Sequence, residues 1–278
     1  MTINCGGRLL DLNVPKVMSI CNLTNDSFFK GSRVNDEKEL INMVEMHLEE
    51  GAHIIDIGGM SSRPGAKEIP VEEEIDKLVW ALKILRREYS DLIISIDTYR
   101  SKVVEQTVPF GINMVNDISG GELDKNLIPI LGKINLPYIL MHMKGDPETM
   151  QNDTTYKKNV VLSELDYFKQ KLRDCIKSGI NDVIIDPGFG FGKSIEDNYR
   201  LLHGLNSFRI FDCPIMVGIS RKSMIYKVLG TDSDDALNGT TALHMLALNN
   251  GAKLLRVHDT KAAYQCIQLF SKYKLTNQ

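Results

Sequence analysis

The sequence predicts one (β/α)8 barrel, a parallel sheet of eight strands closed on itself and ringed by helices, spanning residues 1–278 as a single domain. Three observations predict it. Eight short apolar runs alternate with segments of helical period. Each run is too short for a helix and is rich in Ile, Val, Leu or Met, as a strand buried on both faces should be. Polar residues follow nearly every run, where a barrel places its strand ends and its chemistry. An open, doubly wound sheet is the alternative use of the same alternation.

In chain order the runs are Val17–Cys21, His53–Ile57, Leu92–Ile96, Asn113–Asn116, Tyr138–Met141, Val183–Ile185, Ile215–Val217 and Leu254–Val257. Between them, Glu37–Glu50 places Leu40, Ile41, Val44 and Leu48 on one helical face, and Glu72–Glu88 does the same with Ile75, Leu78, Val79, Leu82 and Leu85. Leu162–Ser178 and Ala262–Tyr273 show the same period, whereas Pro129 interrupts it in Lys125–Lys133. The polar stretch Lys144–Lys158 follows the fifth run and reads as a βα loop rather than a linker.

Composition narrows the function classes. A net charge of −3 supplies no global basic field for nucleic acid or anionic lipid, so any anion site must be local. No apolar run approaches the roughly 20 residues of a membrane span. The N-terminal residues lack the apolar core of a secretory signal, and the five cysteines are scattered without a Cys-x-x-Cys pair. Both features lead us to expect a cytoplasmic protein with reduced thiols.

Asn22, Asp97, Asn116, Asp186, Lys222, Arg256 and His258 come from seven different strand ends and would converge on one end of a barrel. Asp56, Asp117 and Asp259 read as helix caps or loop residues. The run Asp186-Pro-Gly-Phe-Gly-Phe-Gly-Lys-Ser194 fails both nucleotide patterns: Pro187 occupies the first glycine of a phosphate loop, and glycines at 188, 190 and 192 miss the dinucleotide spacing. What remains is a glycine loop that brings backbone close to something flat, with Phe189 and Phe191 available to cover an aromatic ring. Strand alternation sets Arg256 and His258 on one side, at the end of the last strand, where barrels often bind phosphate. Neither a His-Glu-x-x-His motif nor a cysteine cluster offers a zinc site, while the Asn22 carbonyl oxygen suits Mg²⁺, the usual escort of a diphosphate.

The segments Asn22-Leu-Thr-Asn-Asp-Ser-Phe28, Asp56-Ile-Gly-Gly-Met-Ser-Ser-Arg-Pro-Gly65, Ser95-Ile-Asp-Thr98, Asn116-Asp-Ile118, Met141-His-Met143, Asp186 to Gly192, Ser220-Arg-Lys222 and Arg256-Val-His258 resemble, in that order, the dihydropteroate synthases, a pterin-binding TIM-barrel family. The resemblance covers the whole chain. It implies a transferase, usually a homodimer, that condenses 6-hydroxymethyl-7,8-dihydropterin diphosphate with 4-aminobenzoate in folate biosynthesis, and that sulfonamides target as mimics of the aminobenzoate. It implies that Asp97, Asn116, Met141 and Asp186 receive the pterin ring, with Lys222 pairing Asp186 and Arg256 lying on the ring face. Asn22, Arg63 and His258 would receive the diphosphate with Mg²⁺. Phe28, Ser62, Pro64, Phe191 and Ser220 would line the aminobenzoate side. The catalytic group would be Asp97, Lys222, Arg256 and His258. The first two loops depart from the family pattern at Asn25, Lys30, Ser32, Met60 and Ser62. Two other functions fit parts of the pattern. A pterin-binding methyltransferase would keep Asp97, Asn116 and Asp186 but has less use for the Arg256/His258 pair, and a paralogue altered in its first loop would bind pterin without turnover.

Overall fold

A computed structural model of the chain describes residues 1–23, 33–60, 68–145, 154, 156 and 159–276. An antiparallel hairpin comes first, β1 (Thr2–Asn4) with β2 (Leu9–Asp11), Ile3 facing Leu10 in register. Eight parallel strands follow: β3 (Lys16–Asn22), β4 (Ile54–Gly58), β5 (Ile93–Asp97), β6 (Met114–Asp117), β7 (Tyr138–Met141), β8 (Val183–Asp186), β9 (Ile215–Val217) and β10 (Ala252–Val257). Each pairs with the next, and β10 returns to pair with β3, closing the barrel. The eight apolar runs thus coincide with the eight barrel strands to within a residue or two. The closed ring excludes the open-sheet alternative.

Residues two apart on a strand share a face. Met18, Ile54, Met114, Ile139, Ile184, Met216 and Leu254 point inward and pack as one apolar cluster with Ile3, Cys5, Leu10 and Leu12 of the hairpin segment. The hairpin therefore plugs the end of the barrel where the strands begin. It escapes the sequence pattern because its strands are three residues long and carry no apolar run. Residues of the opposite parity, such as Val17, Ile55, Ile94, Val115, Leu140, Ile185, Val217 and Leu255, face the surrounding helices in a second, larger core.

The helices are α1 (Arg33–Glu49), α2 (Val71–Glu88), α3 (Ser101–Thr107), α4 (Leu127–Ile134), α5 (Val160–Ser178), α6 (Ile195–His203), α7 (Ser223–Leu229), α8 (Leu237–Asn249) and α9 (Thr260–Leu275). As the period requires, α1 buries Leu40 and Val44 and α2 buries Leu78, Leu82 and Leu85. Pro129 does not interrupt α4: it is the third residue, in the first turn, where a missing N–H costs no hydrogen bond. The stretch 144–158 does connect β7 to α5, although most of it lies outside the described residues. All five cysteines are free, and no described helix is long and apolar enough to cross a membrane.

Candidate active site

The inward parity that builds the apolar plug continues two residues further along each strand, and there it changes character. Ile54 is followed by Asp56, Met114 by Asn116, Ile139 by Met141, Ile184 by Asp186 and Leu254 by Arg256. A polar layer thus lies directly above the apolar one, inside the barrel, at the strands' C-terminal end.

Arg256 is the hub of that layer. Its Nε donates to Asp56 Oδ2 and its Nη2 to Asp97 Oδ2, both at 2.7 Å. Asp56 Oδ2 also accepts from Asn116 Nδ2 at 2.9 Å. Asp56 is wholly buried, with Asp97 and Asn116 nearly so. Burial raises the Asp97 carboxyl to about 7 even against the pull of Arg256, and the neighbouring Asp56 charge adds to the rise. Burial disfavours the Arg256 charge too, yet the two carboxylates hold its pKa above the ordinary guanidinium value. Among the described residues, Asp56 Oδ1 and the Ser95 hydroxyl are buried with no hydrogen-bond partner, and Asp56 and Ser95 lie side by side on β4 and β5. Such groups await water or the polar edge of a ligand.

Asp186 closes β8 and begins the glycine loop. Its Oδ1 accepts from the Gly188 N–H at 2.8 Å, and burial raises its pKa while Lys222 opposes the rise. Gly188 has φ +68, and a Cβ there would lie 2.0 Å from the His142 carbonyl oxygen, so only glycine fits. The two phenylalanines divide: Phe189 is fully buried in the outer core, while half-buried Phe191 packs beside Met141, Tyr99, Ile118, Met60 and Met143. Phe191 alone is thus placed to cover a ring.

Lys193, which the failed phosphate-loop reading left without a role, holds this loop from beneath. Its wholly buried ammonium donates to the carbonyls of Gly188 (2.9 Å) and Phe191 (3.1 Å) and sits 3.3 Å from Glu164 of α5. His142 approaches the same carboxylate at 3.3 Å, and burial lowers its pKa, which favours the neutral ring. Lys193→Met is expected to cost roughly 3–5 kcal/mol, because it strands a buried carboxylate and releases the loop carbonyls. Denaturant unfolding checks this; a loss below about 1 kcal/mol would mean that the loop holds itself.

Lys222 reaches the same place from the loop after β9, but its contacts differ from expectation. It does not pair directly with Asp186; its Nζ donates to the Phe189 carbonyl and lies 4.5 Å from the Phe191 ring centre. Asp186 still acts at longer range, resisting the burial that lowers Lys222 to about 7. Ser220 is buried, and its Oγ accepts from the His258 N–H at 3.3 Å and lies 3.4 Å from Nδ1 of the exposed His258 ring. Asn22 closes β3 beside Gly58: its Oδ1 would lie 3.1 Å from a Cβ at that glycine, and the Asp97 Cβ would lie 3.6 Å from it.

Asp97, Asn116, Asp186, Lys222, Arg256, Met141, Phe191, Ser220, His258 and Asn22 therefore meet at one end of the barrel. Phe28, Ser62, Arg63 and Pro64 lie outside the described residues, as do Asn25, Lys30 and Ser32. Asp56 requires a correction. It is no cap but half of the carboxylate pair around Arg256, and the inward parity of β4 was the signal that could have found it. Asp117, read as a cap or loop residue, is instead the wholly buried last residue of β6, where it accepts from the N–H groups of Ser119 and Gly121 in the turn that follows and from the Tyr138 hydroxyl.

Comparison with known proteins gives the same answer as the geometry. The family model for pterin binding enzymes matches residues 18–258. The dihydropteroate synthase of Haemophilus influenzae is 38% identical over 272 residues, which covers 97% of this chain and 98% of that one. The Yersinia pestis dihydropteroate synthase, solved as a sulfonamide drug complex, superposes with a TM-score of 0.91 at 34% identity over 99% of both chains. The Xanthomonas albilineans dihydropteroate synthase, solved with 4-aminobenzoic acid, gives 0.89 at 33% identity over 98% of both. With a polar layer built inside a closed barrel and likeness running nearly end to end, this chain belongs to the dihydropteroate synthases, among the pterin-binding enzymes.

Proposed function

We propose that this member of the dihydropteroate synthase family joins 6-hydroxymethyl-7,8-dihydropterin diphosphate to 4-aminobenzoate by a dissociative route. The observation that carries the reading is Arg256, fastened edgewise by Asp56 and Asp97 above the apolar plug. A guanidinium so held offers its flat face to a heterocycle and its remaining donors to an anion. Asp186, Asn116 and Asp97 surround the adjacent space, and a carboxylate there accepts the paired N–H donors of a pterin's pyrimidine edge. Met141 and Phe191 supply apolar contact, and Lys222 a further donor.

In this scheme the bond from the pterin methylene carbon to the diphosphate oxygen breaks first, and the electron pair leaves with diphosphate. The carbon's positive charge spreads over the dihydropterin ring. The lone pair of the aminobenzoate nitrogen then forms the C–N bond, and one amine proton passes to diphosphate or water. An aromatic amine is neutral at pH 7, so no strong base is required. Arg256 and His258 stabilise the departing diphosphate, Arg63 and Asn22 assist, and Phe28, Ser62 and Ser220 hold the aminobenzoate. The Asn22 amide oxygen is a hard donor of the kind Mg²⁺ accepts, and no group of three His, Cys, Asp or Glu side chains forms a metal cage among the described residues. That donor set fits an ion held mainly by diphosphate oxygens and water, with Asn22 as its protein ligand. When bound, Mg²⁺ supplies positive charge to the leaving group.

We infer a cytoplasmic homodimer. Val228, Leu229, Leu237 and Leu246 expose apolar side chains on α7 and α8, which supports self-association. Sedimentation at micromolar concentration tests this, and a monomer there counts against it.

The central test mixes purified protein, both substrates and Mg²⁺. Diphosphate and dihydropteroate should appear in equal amounts; bound pterin with neither product would establish the inactive paralogue instead. The pH profile gives a second test. Lys222 loses its charge as pH rises through about 7, and Asp97 loses its own as pH falls through about 7. The profile of kcat/KM should therefore be a narrow bell centred near neutrality. Lys222→Arg, which stays charged, should flatten the alkaline limb. An unchanged alkaline limb in that variant would take Lys222 titration out of the mechanism.

A further inference from the structure

Arg221 lies between two residues of the site, Ser220 and Lys222, yet its own side chain turns away from it. The turn is made by the backbone: Arg221 has φ +54, the left-handed region that a residue with a Cβ rarely adopts. Such a conformation persists only where the surroundings impose it. Here they do. Arg221 Nε and Nη2 form a two-pronged pair with Asp259 Oδ2 and Oδ1, each at 2.8 Å. Its Nη1 donates to the carbonyls of Ser233 (3.0 Å) and Asp234 (2.8 Å), and its backbone N–H donates to the Thr240 hydroxyl at 3.1 Å. Asp259 directly follows His258 and stands at the start of α9 without capping it through its side chain.

We propose that the Arg221–Asp259 pair is a clamp that positions two substrate-binding loops against each other: the loop after β9 with Ser220 and Lys222, and the loop after β10 with His258. Resting on the reading above, the clamp serves the rim of the site, where diphosphate and aminobenzoate bind. Asp56, Asp97, Asn116 and Asp186 of the pterin floor stand apart from it, because barrel strands set them, and Lys222 is the pterin contact that the clamp carries. A bidentate fork is what the job requires, since a single point charge fixes distance but not orientation.

The test is a double-mutant cycle of Arg221→Gln and Asp259→Asn, read by steady-state kinetics and by calorimetric binding of two probes, the pterin diphosphate and 6-hydroxymethylpterin without diphosphate. Each single variant should lower kcat/KM by about 10- to 100-fold, the cost of a misplaced binding group. Affinity for the diphosphate-bearing probe should fall by clearly more than affinity for the bare pterin, which loses only the aim of Lys222. The double variant should be no worse than either single one, since both remove the same interaction. Arg200→Gln, which breaks the exposed Arg200–Asp197 pair, serves as the control with unchanged kinetics. Arg221→Lys keeps the charge without the fork and should fall between wild type and Arg221→Gln, which keeps the question answerable if the glutamine variant fails to fold. Wild-type kinetics in the single variants, or equal loss of both probes with additive effects, would overturn the clamp. The wild-type protein's preference for the diphosphate-bearing probe tests the underlying reading separately.

Discussion

Replacing Asp186 by alanine is expected to abolish measurable pterin binding. The carboxylate is nearly fully buried at the end of β8, one oxygen already satisfied by the Gly188 N–H. A heterocycle that donates two hydrogen bonds to such a group gains a charge-assisted contact where water competes poorly, worth roughly 2–4 kcal/mol. Its loss leaves both ligand donors unpaired in a desolvated site, so affinity should fall at least about 100-fold. Calorimetry with 6-hydroxymethylpterin gives the number. Because Asp186 also anchors the glycine loop, the unfolding midpoint is measured alongside. Near-native pterin affinity in a folded variant would refute the assignment of the pocket.

The second large effect is on stability. Arg256→Ala removes the guanidinium that bridges Asp56 and Asp97, and breaking a largely buried ion pair from one side typically costs about 3–5 kcal/mol. The loss should depend on pH. Asp97 stands at about 7 even with the guanidinium beside it, and without it the folded-state pKa rises further above the unfolded value. A carboxyl raised in this way costs the fold its full penalty at pH above its folded pKa; the penalty shrinks as pH falls below that value and is gone only below the unfolded pKa, so variant and wild type converge once Asp97 is protonated in both. The deficit against wild type should therefore be larger at about pH 8 than at about pH 5.5. A deficit independent of pH would mean that the lost packing of the side chain, and not the stranded charge, dominates.

The difference between what the sequence reveals and what it hides follows from range. The barrel strands were legible because burial on both faces writes itself into consecutive residues, as in Ile54 and Ile55 or Ile184 and Ile185. The site residues at strand ends were legible by position. Asp56 was legible only as an inward position on its strand; the partner that gives it its role, Arg256, lies 200 residues away. Lys193 was hidden because its ligands are backbone carbonyls, which leave no trace in residue identity. Arg221 was visible as part of a motif, but nothing local shows that its side chain faces away from its neighbours. The short helices α3, α6 and α7 are only two turns or so, too brief for a period to register.

The hairpin that stoppers the barrel has a kinetic corollary. With side chains filling the barrel interior and Ile3, Leu10 and Leu12 packed at its base, the site opens toward the end where the strands finish, and on the proposed function both reactants would arrive from that side. Whatever lies deepest must enter before, and depart after, whatever lies above it. On the proposed reading turnover would then be a queue: the amine would follow the heterocycle, and an amine analogue waiting at the threshold would detain the molecule behind it.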